Sequence, residues 1–309
     1  MTPILSIRGL QKKYKNVFAV RGLDIDAFHS ECLGVLGPNG AGKTTVMEIC
    51  EGLTRADRGT VRILGMEWAD NGHELRQHIG VQLQDTQLSE KLTVSETLRL
   101  FRSFYRQGPS VLDLIGMVQL EEKRSARVGS LSSGQKQRLA VACALAGHPQ
   151  ILFLDEPTTG LDPQSRRQLW ELIERLKEAG ATIILTTHYM EEAERLCDRV
   201  AIMDQGQIIA LGTPRELIAS IGVEHMIEFK LADGSGPADC TALELLDAVL
   251  SVQFESNRYR LSVYELHRFV PALLKELSRQ QIELTELRTR SATLEDVFVS
   301  LTGRCLRDD

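Results

Sequence analysis

The chain has 309 residues, 43% of them hydrophobic and 25% charged, with a net charge of -6 and a pI near 5.7. These values suit a globular protein with one large and one smaller domain, and the acidic balance offers no general attraction to nucleic acid. No long apolar run capable of spanning a bilayer occurs, no secretory signal opens the sequence, and six scattered cysteines without a Cys-x-x-Cys pair point to free thiols in a reducing cytoplasm.

Alternating apolar residues over 4–10 and 19–28 predict two strands of an antiparallel patch, joined by a basic turn at 12–16. Tyr14, the only aromatic of that turn, is either a strand-end packing residue or a flat platform for a nucleotide base. Cys32-Leu33-Gly34-Val35-Leu36 then reads as a short buried strand. It delivers Gly37-Pro38-Asn39-Gly40-Ala41-Gly42-Lys43-Thr44-Thr45, after which the apolar spacing turns helical. Its glycines let backbone N–H groups cradle a polyphosphate, Lys43 reaches the terminal phosphates, and the Thr44 hydroxyl suits Mg²⁺. A strand-to-helix junction adds the favourable helix dipole.

A further strand is predicted at 59–64, and residues 78–88 form a strand that ends in a glutamine-rich loop. Gln84 in that loop is either solvated or offers its carbonyl to a metal and a water. From 93 to 146 the spacing is helical, with helices predicted at 94–106, 111–118 and 133–146. The last begins with Leu131-Ser132-Ser133-Gly134-Gln135, where serine caps the helix and leaves N–H groups pointing outward. Such an end is an ordinary cap or a second anion site.

Ile151-Leu152-Phe153-Leu154 is an apolar run that stops abruptly at Asp155-Glu156. A buried parallel strand carries such carboxylates to its carboxyl edge, where Asp155 suits a Mg²⁺ shell and Glu156 can polarise a water. Gly160-Leu161-Asp162-Pro163 opens a helix to 179, a strand follows at 182–186, and His188 stands at its end. Strands at 200–203 and 207–211 flank a hairpin turn at 204–206. Beyond them the breaker cluster Asp233-Gly234-Ser235-Gly236-Pro237 lies within a separable tail. The tail reads as strand 226–231, helix 242–250, strands 252–256 and 259–263, helix 266–279 and strand 282–289, a split β-α-β-β-α-β order, with an amphipathic end at 294–301.

Taken in order, the loop at 37–45, Gln84, the Leu-Ser-Ser-Gly-Gln segment, Asp155-Glu156, Gly160-Leu161-Asp162 and His188 resemble the nucleotide-binding subunit of an ATP-binding cassette (ABC) transporter. The resemblance implies an α/β P-loop NTPase cassette over residues 1–215: a mixed sheet core, an antiparallel β patch and a helical insert at about 93–146. A small α+β domain, with the strand order of a ferredoxin-like fold, would follow over 216–309. It also implies an ATPase using ATP and Mg²⁺, with Glu156, His188 and Lys43 catalytic, Tyr14 stacking on adenine, and Thr44, Gln84 and Asp155 holding the metal. The phosphate loop, Asp162 and Ser132 to Gln135 complete the nucleotide site, the serine segment reaching the ATP of a second copy in a head-to-tail dimer. Ser133 stands where the family most often has glycine. Leu294-Glu295-Asp296-Val297-Phe298 looks like the end of ABC-2 type exporter ATPases, which implies a peripheral subunit on the inner face of the cell membrane, a separate permease and no nucleic-acid partner. A soluble ABC ATPase acting on nucleic acid or ribosomes is the rival; paired cassettes, coiled-coil inserts and zinc cysteines, its usual marks, do not occur in the sequence.

Overall fold

A computed structural model describes residues 2–223, 225–232, 238–247, 249–255 and 258–303. The chain divides into two compact units, 1–214 and 215–305. The breaker cluster 233–237, Ser256 and Cys305 lie outside the described residues.

In the first unit, β1 (Leu5–Tyr14), β2 (Val17–Ala27), β3 (Cys32–Leu36), α1 (Lys43–Cys50), β4 (Arg58–Ile63), α2 (Trp68–His78) and β5 (Ile79–Gln82) come first. The helical insert follows as α3 (Val94–Arg102), α4 (Val111–Met117) and α5 (Ser133–Ala144). Then come β6 (Ile151–Asp155), α6 (Pro163–Glu178), β7 (Thr182–Thr187), α7 (Met190–Leu196), β8 (Arg199–Asp204) and β9 (Gln207–Gly212).

The main sheet has the order β5-β6-β7-β3-β8-β9, parallel except for β9. Every residue of β3, β6 and β7 is buried, as suits central parallel strands covered on both faces. A second, antiparallel sheet has the order β2-β1-β4. Ile7, Leu10 and Val20 of that sheet, Val46 and Met47 of α1, and Phe153, Ile184 and Met203 of the main sheet share one core. On the insert side the approach is as close: Gly80 of β5 leaves no room for a side chain against the Ala144 carbonyl of α5. All three insert helices start with a capping box, Thr93 with Glu96, Ser110 with Asp113 and Ser132 with Gln135.

Several sequence-level expectations are corrected. The basic stretch 12–14 is the end of β1, and only Lys15 and Asn16 turn, with Lys15 at φ 51°. Helix α2 was not foreseen, because only Leu75 of its eleven residues is fully buried and the apolar periodicity is faint. The hairpin between β8 and β9 turns at Gln205 and Gly206, φ 47° and 80°, the paired left-handed conformation of a tight hairpin.

In the second unit, α8 (Pro214–Ser220) begins just before its boundary and leads to β10 (His225–Leu231), α9 (Cys240–Glu244), β11 (Val249–Glu255), β12 (Arg258–Val263), α10 (Leu266–Arg279), β13 (Leu284–Ser291) and α11 (Leu294–Thr302). The predicted helix 242–250 is shorter and earlier, since β11 already starts at Val249, which pairs with Val263. The sheet order is β11-β12-β10-β13, all antiparallel. Ile227, Phe229, Leu261 and Val263, alternating along β10 and β12, pack against Phe269, Leu273 and Leu277 of α10. Phe229 and Tyr259 stack at 4.8 Å, and the buried Tyr259 hydroxyl accepts the Ala238 N–H at 2.8 Å. Tyr259→Phe strands that buried N–H, a loss of about 1–3 kcal/mol. Hydrogen exchange should accelerate in β10 and β12 while β3, β6 and β7 stay unchanged; equal protection in both proteins would refute the assignment.

Candidate nucleotide site

Strands β6, β7 and β3 are neighbours and end level with one another: Asp155 is opposite Thr186, and Leu36 opposite Thr187. The segments that follow, Gly37 to Thr45, Glu156 and His188, therefore share one sheet edge. A cavity of about 330 Å³ opens there, lined by Ala19, Asn39, Gly40, Gly42, Lys43, Thr44, Thr45, Gln84 and Glu156. Helix α1 starts from Gly42, at φ 103° and without a side-chain cap, so its first N–H groups are available to an anion. A side chain at Gly42 would collide with the Ala19 carbonyl. Only glycine satisfies both conditions.

Lys43 is 4% exposed and donates to the carbonyls of Gly37 at 2.9 Å and Pro38 at 3.2 Å. Its Nζ also lies 3.1 Å from Glu156 Oε1. On the other oxygen of the same carboxylate, His188 Nδ1 approaches Oε2 to 3.1 Å and Thr159 Oγ1 donates at 3.1 Å. The His188 hydrogen bond, with Lys43 behind it, drives the Glu156 carboxyl down to about 2 despite burial. Glu156 has φ 45°, a left-handed conformation uncommon outside glycine, and its N–H is tied to Thr186 Oγ1 at 2.9 Å. Thr186 Oγ1 in turn donates to Asp155. Burial pushes the Asp155 carboxyl up, against hydrogen bonds from Thr186 and Thr44. Ala41 is buried behind the loop, its N–H on the Pro38 carbonyl at 3.1 Å.

Other residues singled out by sequence lie apart from this cavity. Tyr14, 45% exposed, ends β1 with Lys12 Nζ 5.3 Å from its ring centroid. Ser132 and Ser133 are exposed at the start of α5, and Ser132 and Gln135 cap it reciprocally. Gly134 is buried against α6: a methyl group there would stand 2.6 Å from Ser165 Cβ. The Asp162 carboxylate is taken up by α6, accepting the N–H groups of Gln164 and Ser165 at 3.0 Å and the Ser165 hydroxyl at 2.6 Å.

A family model described as ABC transporter matches residues 20–159. The Nod factor export ATP-binding protein I of Ralstonia nicotianae is 40% identical over 99% of this chain and 96% of its own. The chain belongs to the ABC transporter family, as an ATPase subunit. The linearmycin resistance ATP-binding protein of Bacillus subtilis is 34% identical over 99% of this ABC ATPase and 100% of its own length. Among solved structures, an ATP-binding subunit of an ABC transporter has a TM-score of 0.64 at 30% identity, over 71% of this chain and 93% of its own. A dimeric ATP-binding cassette described as a post-hydrolysis state with ADP and Pi has a TM-score of 0.61 at 27% identity, over 68% and 98%.

The ABC ATPase also carries polar groups that local sequence does not single out. Thr186 is one, hidden inside an apolar strand. Another is Glu51 at the end of α1, 6% exposed, which burial first and then the charges of Asp155 and Glu48 push up to about 8. Because the folded state keeps that proton while the unfolded chain releases it, stability falls by about 1.4 kcal/mol per pH unit between the ordinary glutamate range and pH 8. Glu51→Gln removes the loss. Its melting temperature should exceed the parent's by a margin that widens from pH 5 to pH 8, and a constant margin would contradict the raised pKa.

Proposed function

We infer that this chain is the ATP-hydrolysing subunit of an export system, pairing with a second copy of itself and driving a separate membrane-spanning permease. The observation that carries the reading is the Glu156 carboxylate held between Lys43 and His188 at the mouth of a glycine-wrapped cavity. Export rests on relatives named for Nod factor export and linearmycin resistance that align from end to end. Among the described residues no helix is long and apolar enough to cross a membrane, so the reading assigns that task to another chain, with this one at the cytoplasmic face.

Thr44, Asp155 and Gln84 offer a hydroxyl, a carboxylate and an amide oxygen, hard donors that fit Mg²⁺. Bound there, the ion would supply positive charge beside the phosphates. In this reading, Lys43 and the free N–H groups of α1 hold the terminal phosphates, and Glu156, ionised at any working pH, orients the attacking water. His188 fixes the carboxylate and the γ-phosphate, and Tyr14 stacks on the base. Asp162 serves the site through the turn it caps. Ser132, Ser133 and Gly134 do not line this chain's own cavity, which suits a head-to-tail pair in which they close over the phosphates of the second copy. Closure by ATP then follows from contacts that only the closed pair makes.

Glu156→Gln should keep ATP affinity and accumulate a dimer with MgATP, seen by light scattering, while turnover falls by about a hundredfold or more. Retained turnover would remove Glu156 from its role. Lys43→Ala should weaken nucleotide binding about tenfold or more, since a charge-assisted contact is lost; unchanged affinity by calorimetry would refute the cavity assignment.

A further inference from the structure

Behind the catalytic corner stands a group of side chains that the reading above does not use. Tyr189 follows His188 directly, and the two rings lie 4.1 Å apart, tilted by 44°. The Arg166 guanidinium, from the first turns of α6, sits 4.3 Å from the Tyr189 ring centroid. Arg166 Nε is buried without a hydrogen-bond partner, and the guanidinium lies over the aromatic ring. The Tyr189 backbone is itself anchored, its N–H on Thr187 Oγ1 at 2.9 Å.

On α7, Glu192 is fully buried, its Oε1 accepting the Trp170 indole N–H at 2.8 Å. Burial pushes its carboxyl up, while neighbouring polar groups, the Trp170 N–H among them, and the charge of Arg166 pull it back. The segment that carries His188 is thus held from α6 by one cation on one ring.

We propose that Arg166 and Tyr189 are positioning residues for ATP hydrolysis: their stack fixes the His188 imidazole so that Nδ1 stays on Glu156. The proposal rests on the assignment of Glu156 and His188 given above. An imidazole released from the stack rotates about its side-chain torsions, and Glu156 Oε2 keeps only the Thr159 hydroxyl of its two partners. A planar ring is required and a phenolic hydroxyl is not. A planar guanidinium is required as well, because an ammonium presents a point charge rather than a surface.

The test is steady-state MgATP hydrolysis by the full chain. Tyr189→Leu and Arg166→Gln should each lower kcat about ten- to a hundredfold, with KM for ATP within about twofold, and Tyr189→Phe should restore most of the loss. In a His188→Ala background the same two substitutions should have no further effect on kcat. Loss of activity in His188→Ala alone, with unchanged kcat in Tyr189→Leu and Arg166→Gln, overturns this proposal and leaves the site assignment standing. So does an undiminished effect of either substitution when His188 is already absent, which would mark a merely structural role. Full activity in His188→Ala overturns the underlying assignment and this proposal with it.

Discussion

One carboxylate governs this molecule. Glu156 is buried, charged and held by a lysine on one oxygen and a histidine on the other, in a backbone conformation that the surrounding strands must enforce. A buried charge survives only with such partners, and without Lys43 the carboxylate would lose its counter-charge in a poorly hydrated corner. The carboxylate and its two partners come from three separate strand ends, so the corner exists only when β3, β6 and β7 are paired in register. The cost of assembling it falls on the sheet, whose central strands are buried throughout.

The rest of the first unit follows from that requirement. Parallel strands need both faces covered, and the antiparallel patch with α1 covers one while α5 presses on the other. The second unit has its own four-stranded sheet and its own core around Phe229, Tyr259 and Phe269, and shares none of this chemistry. Its outer strand β13 carries Glu286, Arg288 and Arg290, charges that discourage an exposed edge from pairing with another chain.

The fold class was legible because its signals are local. Four large apolar residues followed by two carboxylates can hardly be anything but a central strand, and Gly-x4-Gly-Lys-Thr fixes a loop and the helix after it. The residues singled out at 37–45, 155, 156 and 188 gather at one edge for the same reason: each closes an apolar run. Thr186, Trp170, Tyr189 and Glu192 were not legible as a group, since their meaning arises from contacts between α6, α7 and β7 that no spacing records. Helix α2 escaped because it buries too little to impose a period, and the end of α9 escaped because Val249 and Leu250 suit strand and helix equally.

The tight seat of Gly134 against Ser165 has a mechanical meaning. Two helix beginnings in contact through a single small side chain, that of Ser165 against the bare Gly134 backbone, resist sliding independently, so tilting the insert pulls on the first turn of α6. That turn also carries Arg166, whose guanidinium lies over the Tyr189 ring, so one short chain of contacts runs from the start of α5 to the Glu156 corner.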